Sequence, residues 1–210
     1  MSDATLSRRD LTLGSIIAVV MAIVFASIGA LPLVATFIPG VVATWCVFLW
    51  MQQRQIALPE GPALYPLYFG VLAWQFIHFS EEFMTGFRVR FPALFGAGPF
   101  SIDLFLGINM FSYAAFTMAF ILVFVARLRF LLVPALFFAI YGALGNAVSH
   151  TYWVIWTRGY FPGFFTAQLY WILGPWLLAR LTGSWRPALV ATGGFAVLLL
   201  TILSLTMKAG

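Results

Sequence analysis

Five side chains in this sequence have the types and spacing for chemistry: His78, Glu81 and Glu82 in WQFIHFSEEFMTGF (74–87), and Asn146 and His150 in GNAVSHTYW (145–153). An α-helix turns about 100° per residue, so Glu81 falls roughly 60° to one side of His78 and Glu82 roughly 40° to the other, all on one face. Asn146 and His150, four residues apart, stack on one face of a second helix. Two imidazoles with carboxylates suit zinc, or non-haem iron or manganese, whereas magnesium and calcium prefer all-oxygen shells. The expected ligands are His78, His150 and one of Glu81 or Glu82, which leaves a coordination position open for water. The other glutamate would then act as general base, so Glu81 and Glu82 are also the candidate catalytic residues. Asn109 and Asn146 are candidates for orienting ligands or polarising a bound group. A single ion is expected, zinc ahead of iron or manganese, because two histidines and the carboxylates of Glu81, Glu82 and Asp103 are a lean supply for two.

These residues stand in a chain of 210 residues that is 63% hydrophobic and 8% charged, with a mean hydropathy of +1.01. That composition belongs to an integral membrane protein. A spanning helix takes roughly 20 apolar residues, and the apolar runs use nearly the whole length, leaving no room for a soluble domain. The expected fold class is an all-α integral membrane protein, a polytopic helical bundle of about seven transmembrane helices, with six as the alternative. Residues 1–10 read as an N-terminal cytoplasmic tail, 11–207 as one transmembrane helical domain, and 208–210 as a C-terminal tail.

Residues 11–51 hold two crossings with a hairpin at 29–32, the competing break being IPG at 38–40. Further runs fall at about 63–83, 100–126, 130–156, 163–181 and 187–207. Between the third and fourth lies a connector, GFRVRFPALFGAGP, whose Arg88 and Arg90 suggest an interfacial segment. With seven crossings the eleven Lys and Arg residues divide seven against four, whereas six crossings divide them six against five. The sharper division favours seven helices with the N-terminus inside, in the inner membrane of a cell. In that arrangement His78, Glu81, Glu82, Asp103, Asn109, His150, Thr166 and Gln168 all fall toward the outer interface.

The basic residues, net +5, occur singly or in pairs between apolar runs and read as topology signals and lipid contacts, with no nucleic-acid partner implied. A single cysteine, Cys46, rules out a disulfide within the chain and is read as a packing residue. Several polar residues have plainer readings. Asp103 suits a helix cap, Asn146 a hydrogen bond between helices, and Tyr152, Trp153, Trp156 and Tyr160 an interfacial aromatic belt. The glutamates themselves would pair with Arg88 or Arg90 if they lay beyond the hydrocarbon.

HFSEEF (78–83), Gly86, GINMFSY around Asn109 and GNAVSHTYWVIWTRGYFPGFFTAQ (145–168) together resemble the bacterial membrane family named for its HXXEE motif. There the motif is followed by an asparagine-bearing helix, an N-x-x-x-H helix and a Y-x-P-G-x-x-T-A turn, matched here by Tyr160, Pro162, Gly163, Thr166 and Ala167. The resemblance covers about 74–178. It implies a multi-helix membrane domain and points to His78, Glu81, Glu82, Asn109, Asn146 and His150, without implying an activity. The connector MTGFRVRFP departs from the Pro-Gly-Gly-Phe that relatives carry after the glutamates.

From these residues the expected function is a membrane-embedded, metal-dependent enzyme, hydrolytic in preference to other chemistries, acting on a lipid or other membrane-soluble substrate near the outer interface. The partners would be the bilayer and that lipid-like substrate, with the oligomeric state open. The alternative is a transporter or small-molecule binding protein that uses the His/Glu cluster as a proton or cation site.

Overall fold

The computed structural model describes residues 5–208. The expectations for residues 1–4, Asp3 among them, and for residues 209–210 lie outside the described residues.

Among the described residues every regular element is helical. Helix α1 (Arg8–Ile28) starts in a capping box: Ser7 Oγ accepts from the Asp10 amide, and the Asp10 carboxylate accepts from the Ser7 amide. Asp10, expected in a free tail, therefore belongs to the first turn of α1. One residue, Gly29, separates α1 from α2 (Ala30–Gln53), and the two pack as the expected hairpin, with Pro39 inside the second helix rather than breaking it. Cys46, read as a packing residue, lies exposed on α2 instead.

Helix α3 (Gly61–Met84) carries His78, Glu81 and Glu82 in its last two turns. The connector folds as a seven-residue helix, α4 (Phe87–Ala93), that buries Phe87 and Phe91. Helix α5 (Ile102–Phe124) is capped by Ser101, whose hydroxyl accepts from the Leu104 amide; Asp103 lies one residue inside the helix, so the cap expected of it belongs to its neighbour.

The run from Arg129 to Thr157 is one rod of changing pitch: a 3₁₀ turn (Arg129–Leu131), α6 (Leu132–Phe137), a π-helix (Phe138–Gly145) and α7 (Asn146–Thr157). It is mostly buried and forms the axis of the bundle. Two glycines on flanking helices let neighbours close on the π segment: a Cβ on Gly40 would come within 2.8 Å of Tyr141, and one on Gly174 within 2.7 Å of Leu144. A short α8 (Phe164–Ala167), α9 (Tyr170–Thr182) and α10 (Trp185–Thr206) complete the chain, α10 packing on α2 and α9.

Five of these rods are long and apolar enough to cross a membrane: α1, α2, α5, Arg129–Thr157 and α10. The chain is thus a polytopic helical membrane bundle. Against the expected seven crossings, α3 matches the other five in length but not in hydropathy, and α9 is too short. At 13 residues α9 is about 20 Å long, short of a hydrocarbon core of about 30 Å.

Candidate metal centre

His78 lies six residues before the end of α3, and His150 seven before the end of α7. At 1.5 Å per residue both sit roughly 10 Å inside their helix ends. Both are fully buried, with ring centroids 4.8 Å apart and planes nearly perpendicular. Glu82, one turn beyond His78, is also buried and stands between the two rings: its Oε1 is 3.5 Å from His78 Nε2 and 3.3 Å from His150 Nε2.

These three residues are a cluster able to hold a metal ion, their donor atoms all within 4.8 Å of one another. Ligand atoms about 2.0–2.1 Å from a tetrahedral zinc lie roughly 3.3–3.4 Å apart, which is where Glu82 Oε1 stands relative to each Nε2. Closing the widest separation on an ion takes a movement of roughly 1 Å, within the reach of side-chain torsions. The polar accounting agrees. Among the described residues neither His78 Nε2 nor His150 Nε2 has a hydrogen-bond partner, although both are buried, and a buried polar atom left unmatched is costly. Both separations from Glu82 are long for hydrogen bonds and suit donors that converge on a common bound atom.

The other ring nitrogen of His78 explains why its Nε2 is available. Thr166 Oγ1 is 2.8 Å from His78 Nδ1 and 2.5 Å from Glu81 Oε2. A carboxylate only accepts, so the threonine hydroxyl donates to Glu81 and accepts from His78 Nδ1–H. That fixes the tautomer whose Nε2 carries a lone pair facing Glu82 and His150, the role an outer carboxylate plays behind many metal-bound histidines.

Glu81 is held differently from Glu82. Its Oε1 accepts from the Tyr160 hydroxyl (2.8 Å) and the Phe165 amide (3.2 Å), and its Oε2 from the Thr166 amide (2.8 Å) as well as the Thr166 hydroxyl. Tyr160 lies in the loop before α8, where burial and the neighbouring carboxylate push its phenol up, so it stays a donor at neutral pH. The sequence left either glutamate open as the ligand; the structure sets Glu82 between the histidines and Glu81 in the loop contacts. Arg88 and Arg90, the alternative partners for the glutamates, donate instead to the carbonyls of Phe100 and Tyr160.

Gly163 roofs the cluster. Its φ of +85° is left-handed backbone, and a Cβ there would come within 2.5 Å of His150 Cε1 and 2.9 Å of both His78 Cε1 and Glu82 Cγ. Only a glycine lets the loop lie this close. The turn signal in PG was legible from sequence, but not what the turn covers.

Asn109 and Asn146 line one cavity with Glu82. Asn146 Nδ2 donates to the Gly142 carbonyl of the π segment, and Asn109 Nδ2 to the Phe105 carbonyl. Sequence reasoning missed three residues here. Tyr170 donates to Gln75 Oε1 (2.6 Å), Gln75 Nε2 to the Tyr113 hydroxyl (3.2 Å), and Tyr113 to Asn109 Oδ1 (2.9 Å), a chain joining α9, α3 and α5. Gln75 is three residues before His78 and Tyr113 four after Asn109, so helical spacing could have found both. Trp153, expected in an interfacial belt, is 2% exposed and packs its ring against His150 at 4.9 Å.

No family model, curated protein or solved structure matches the chain. The motif His78-x-x-Glu81-Glu82, on a membrane-bundle helix that places His78 and Glu82 in a triad with His150, matches the pattern of the HXXEE-motif family.

Proposed function

We propose that this chain is a membrane-embedded metal-dependent hydrolase acting on a lipid or other membrane-soluble molecule. The observation that carries the proposal is the convergence of His78 Nε2, Glu82 Oε1 and His150 Nε2, two of them buried nitrogens with no hydrogen-bond partner. An ionised carboxylate at this depth costs several kcal/mol unless paired or bound to a cation, and a divalent ion offsets that cost. Two imidazoles and one carboxylate leave a tetrahedral position open and favour zinc over iron or manganese.

A divalent ion bound here would lower the pKa of a coordinated water to about 7 and polarise a carbonyl oxygen. The chain's own residues do the rest. Thr166, held by Glu81, keeps His78 in the tautomer that presents Nε2 to the centre. Glu82 offers Oε1 to both histidine sides as the third ligand, which leaves its other carboxylate oxygen to accept a proton during hydrolysis. Gly163 and the Phe87, Trp153 and Phe161 rings around His150 keep bulk water away. Glu81 supports the histidine in this scheme, and Asn109 and Asn146 orient substrate.

We read α3 and the α8–α9 pair as further crossings, which makes seven, with the N-terminus cytoplasmic, the protein in a cell's inner membrane and the metal centre near the outer interface. The division of basic residues supports that orientation. Residues 11–207 would then form one transmembrane domain.

Elemental analysis of detergent-purified protein tests the reading. Near-stoichiometric zinc in the native chain, lost in His78→Ala, Glu82→Gln and His150→Ala, is the expected result. A native protein that takes up no transition metal after reconstitution would overturn it and leave the cluster as a proton or cation site of a transporter.

A further inference from the structure

A cavity of about 80 Å³ begins at Glu82 and runs into the bundle between α2, α5 and the π segment. Phenylalanines from five helical elements line it, Phe37, Phe87, Phe105, Phe137 and Phe138 among them, with Gln75, Asn109, Ser112, Tyr113 and Asn146 as its polar stations. Among the described residues no Lys or Arg lines it, and Glu82 is its one carboxylate. An anionic headgroup would enter without a cationic side chain to meet it and would face that carboxylate, whereas an uncharged group meets only hydrogen-bonding side chains and rings.

Trp153 supplies the second observation. It lines this cavity, is 2% exposed, and its indole Nε1 is buried with no hydrogen-bond partner. An indole N–H only donates and is seldom left unmatched when buried. Its side chain packs on His150, so an oxygen that accepted this N–H would also lie beside the cluster.

The cavity is open on one side. Helices α2 and α5 both pack on α6 but make at most marginal contact with each other. Phe37 on α2 and Ile108, Asn109 and Ser112 on α5 are only half-buried, as are Tyr141, Gly142 and Asn146 behind them. At about 80 Å³ the space holds the reacting end of a lipid, and the remaining hydrocarbon leaves between α2 and α5 toward the bilayer.

We infer that this cavity binds the carbonyl end of an uncharged long-chain lipid ester, with Trp153 Nε1–H donating to the carbonyl oxygen and the chain passing out between α2 and α5. The inference rests on the hydrolase reading for its choice of an ester; the exclusion of anionic lipids rests on the cavity lining.

The test uses full-length protein in phosphatidylcholine nanodiscs, prepared metal-free and zinc-loaded, and two photo-crosslinking probes of equal chain length: a diazirine-bearing diacylglycerol and the corresponding phosphatidic acid. The diacylglycerol should label residues 105–116 and 137–146, unlabelled diacylglycerol should compete it away, and in the metal-free protein the phosphatidic acid should label these peptides at least tenfold less. Ser112→Phe, which fills the cavity, should abolish the labelling. Trp153→Phe keeps an aromatic ring and removes a donor that bonds nothing within the protein, so it should weaken labelling roughly tenfold, as for one lost hydrogen bond. Zinc content measured on the same samples separates the two readings. Labelling as described in a protein that takes up no zinc would sink the metal reading and leave the cavity standing. Metal-free protein labelled equally by the phosphatidic acid, or protein in which Ser112→Phe changes nothing, overturns the cavity inference alone.

Discussion

Thr166 Oγ1 lies 2.8 Å from His78 Nδ1, joining a helix end and a short loop helix that are 88 positions apart in the chain. The hydroxyl is already donating to Glu81, so the histidine must be the donor in this pair, and its other nitrogen is left with a free lone pair. Thr166→Val removes that constraint while nearly conserving shape. Zinc affinity, measured by competition with a chromophoric chelator, should fall roughly 10- to 100-fold. Thr166→Ser should stay within a few-fold of the native chain.

The two adjacent glutamates should separate cleanly. Glu82→Gln removes a charged donor from between the imidazoles and should abolish stoichiometric zinc. Glu81→Gln leaves all three converging atoms in place and disturbs only the loop contacts and Thr166, so zinc should still bind, about 10- to 100-fold more weakly. Inductively coupled plasma measurement at saturating and at limiting zinc distinguishes these outcomes; equal loss in both variants would contradict the assignment of roles.

Two glycines with similar backbones give a matched comparison. Gly163 and Gly183 both have positive φ, +85° and +75°, but nothing lies within 4 Å of a Cβ built on Gly183. Alanine at either position costs about 1–2 kcal/mol for left-handed backbone. Only Gly163→Ala also drives a methyl into the two histidines and Glu82. Thermal unfolding should show a loss of stability in both variants, and metal content a loss in Gly163→Ala alone.

Orientation is open to chemical labelling. In a Cys46→Ser background, a membrane-impermeant maleimide added to intact cells should label Arg158→Cys, in the loop beside the metal centre, and should reach Gln55→Cys only after lysis. The reverse pattern would invert the assigned topology.

Much of the architecture was legible because apolar run lengths and Pro/Gly breaks respond to the bilayer directly. The runs at 63–83, 100–126, 130–156 and 187–207 correspond to α3, α5, the Arg129–Thr157 rod and α10 within a few residues at each end. The separate roles of Glu81 and Glu82 were not legible. Helix geometry places both beside His78, and the loop from Tyr160 to Thr166, arriving from far along the chain, distinguishes them. Asp103 shows the same limit on a smaller scale, since either it or Ser101 could cap α5 by type, and backbone position selected Ser101. Trp153 looked like a belt residue because tryptophan is common at membrane interfaces, yet the packing of α4 over α7 buries it. Whether a helix end is covered depends on tertiary contacts that a local pattern does not encode.

The π segment from Phe138 to Gly145 has a bearing on how this protein can change over time. Each turn there carries more residues than an α-turn, as though the rod had accepted an insertion and kept it. His150 follows five residues on, so the aim of its ring depends on pitch and residue count together: tightening the segment to α-pitch with every residue kept would swing the imidazole roughly 100° off Glu82, whereas losing one residue as the pitch tightens would leave it nearly in place. A substitution that restored α-pitch there would dismantle the centre without touching any residue that forms it, and a single codon lost from the segment is the change that would bring the phase back. In the lineage of such a chain, length and pitch across 138–145 should therefore change together, a chain one residue shorter there carrying a plain α-helix.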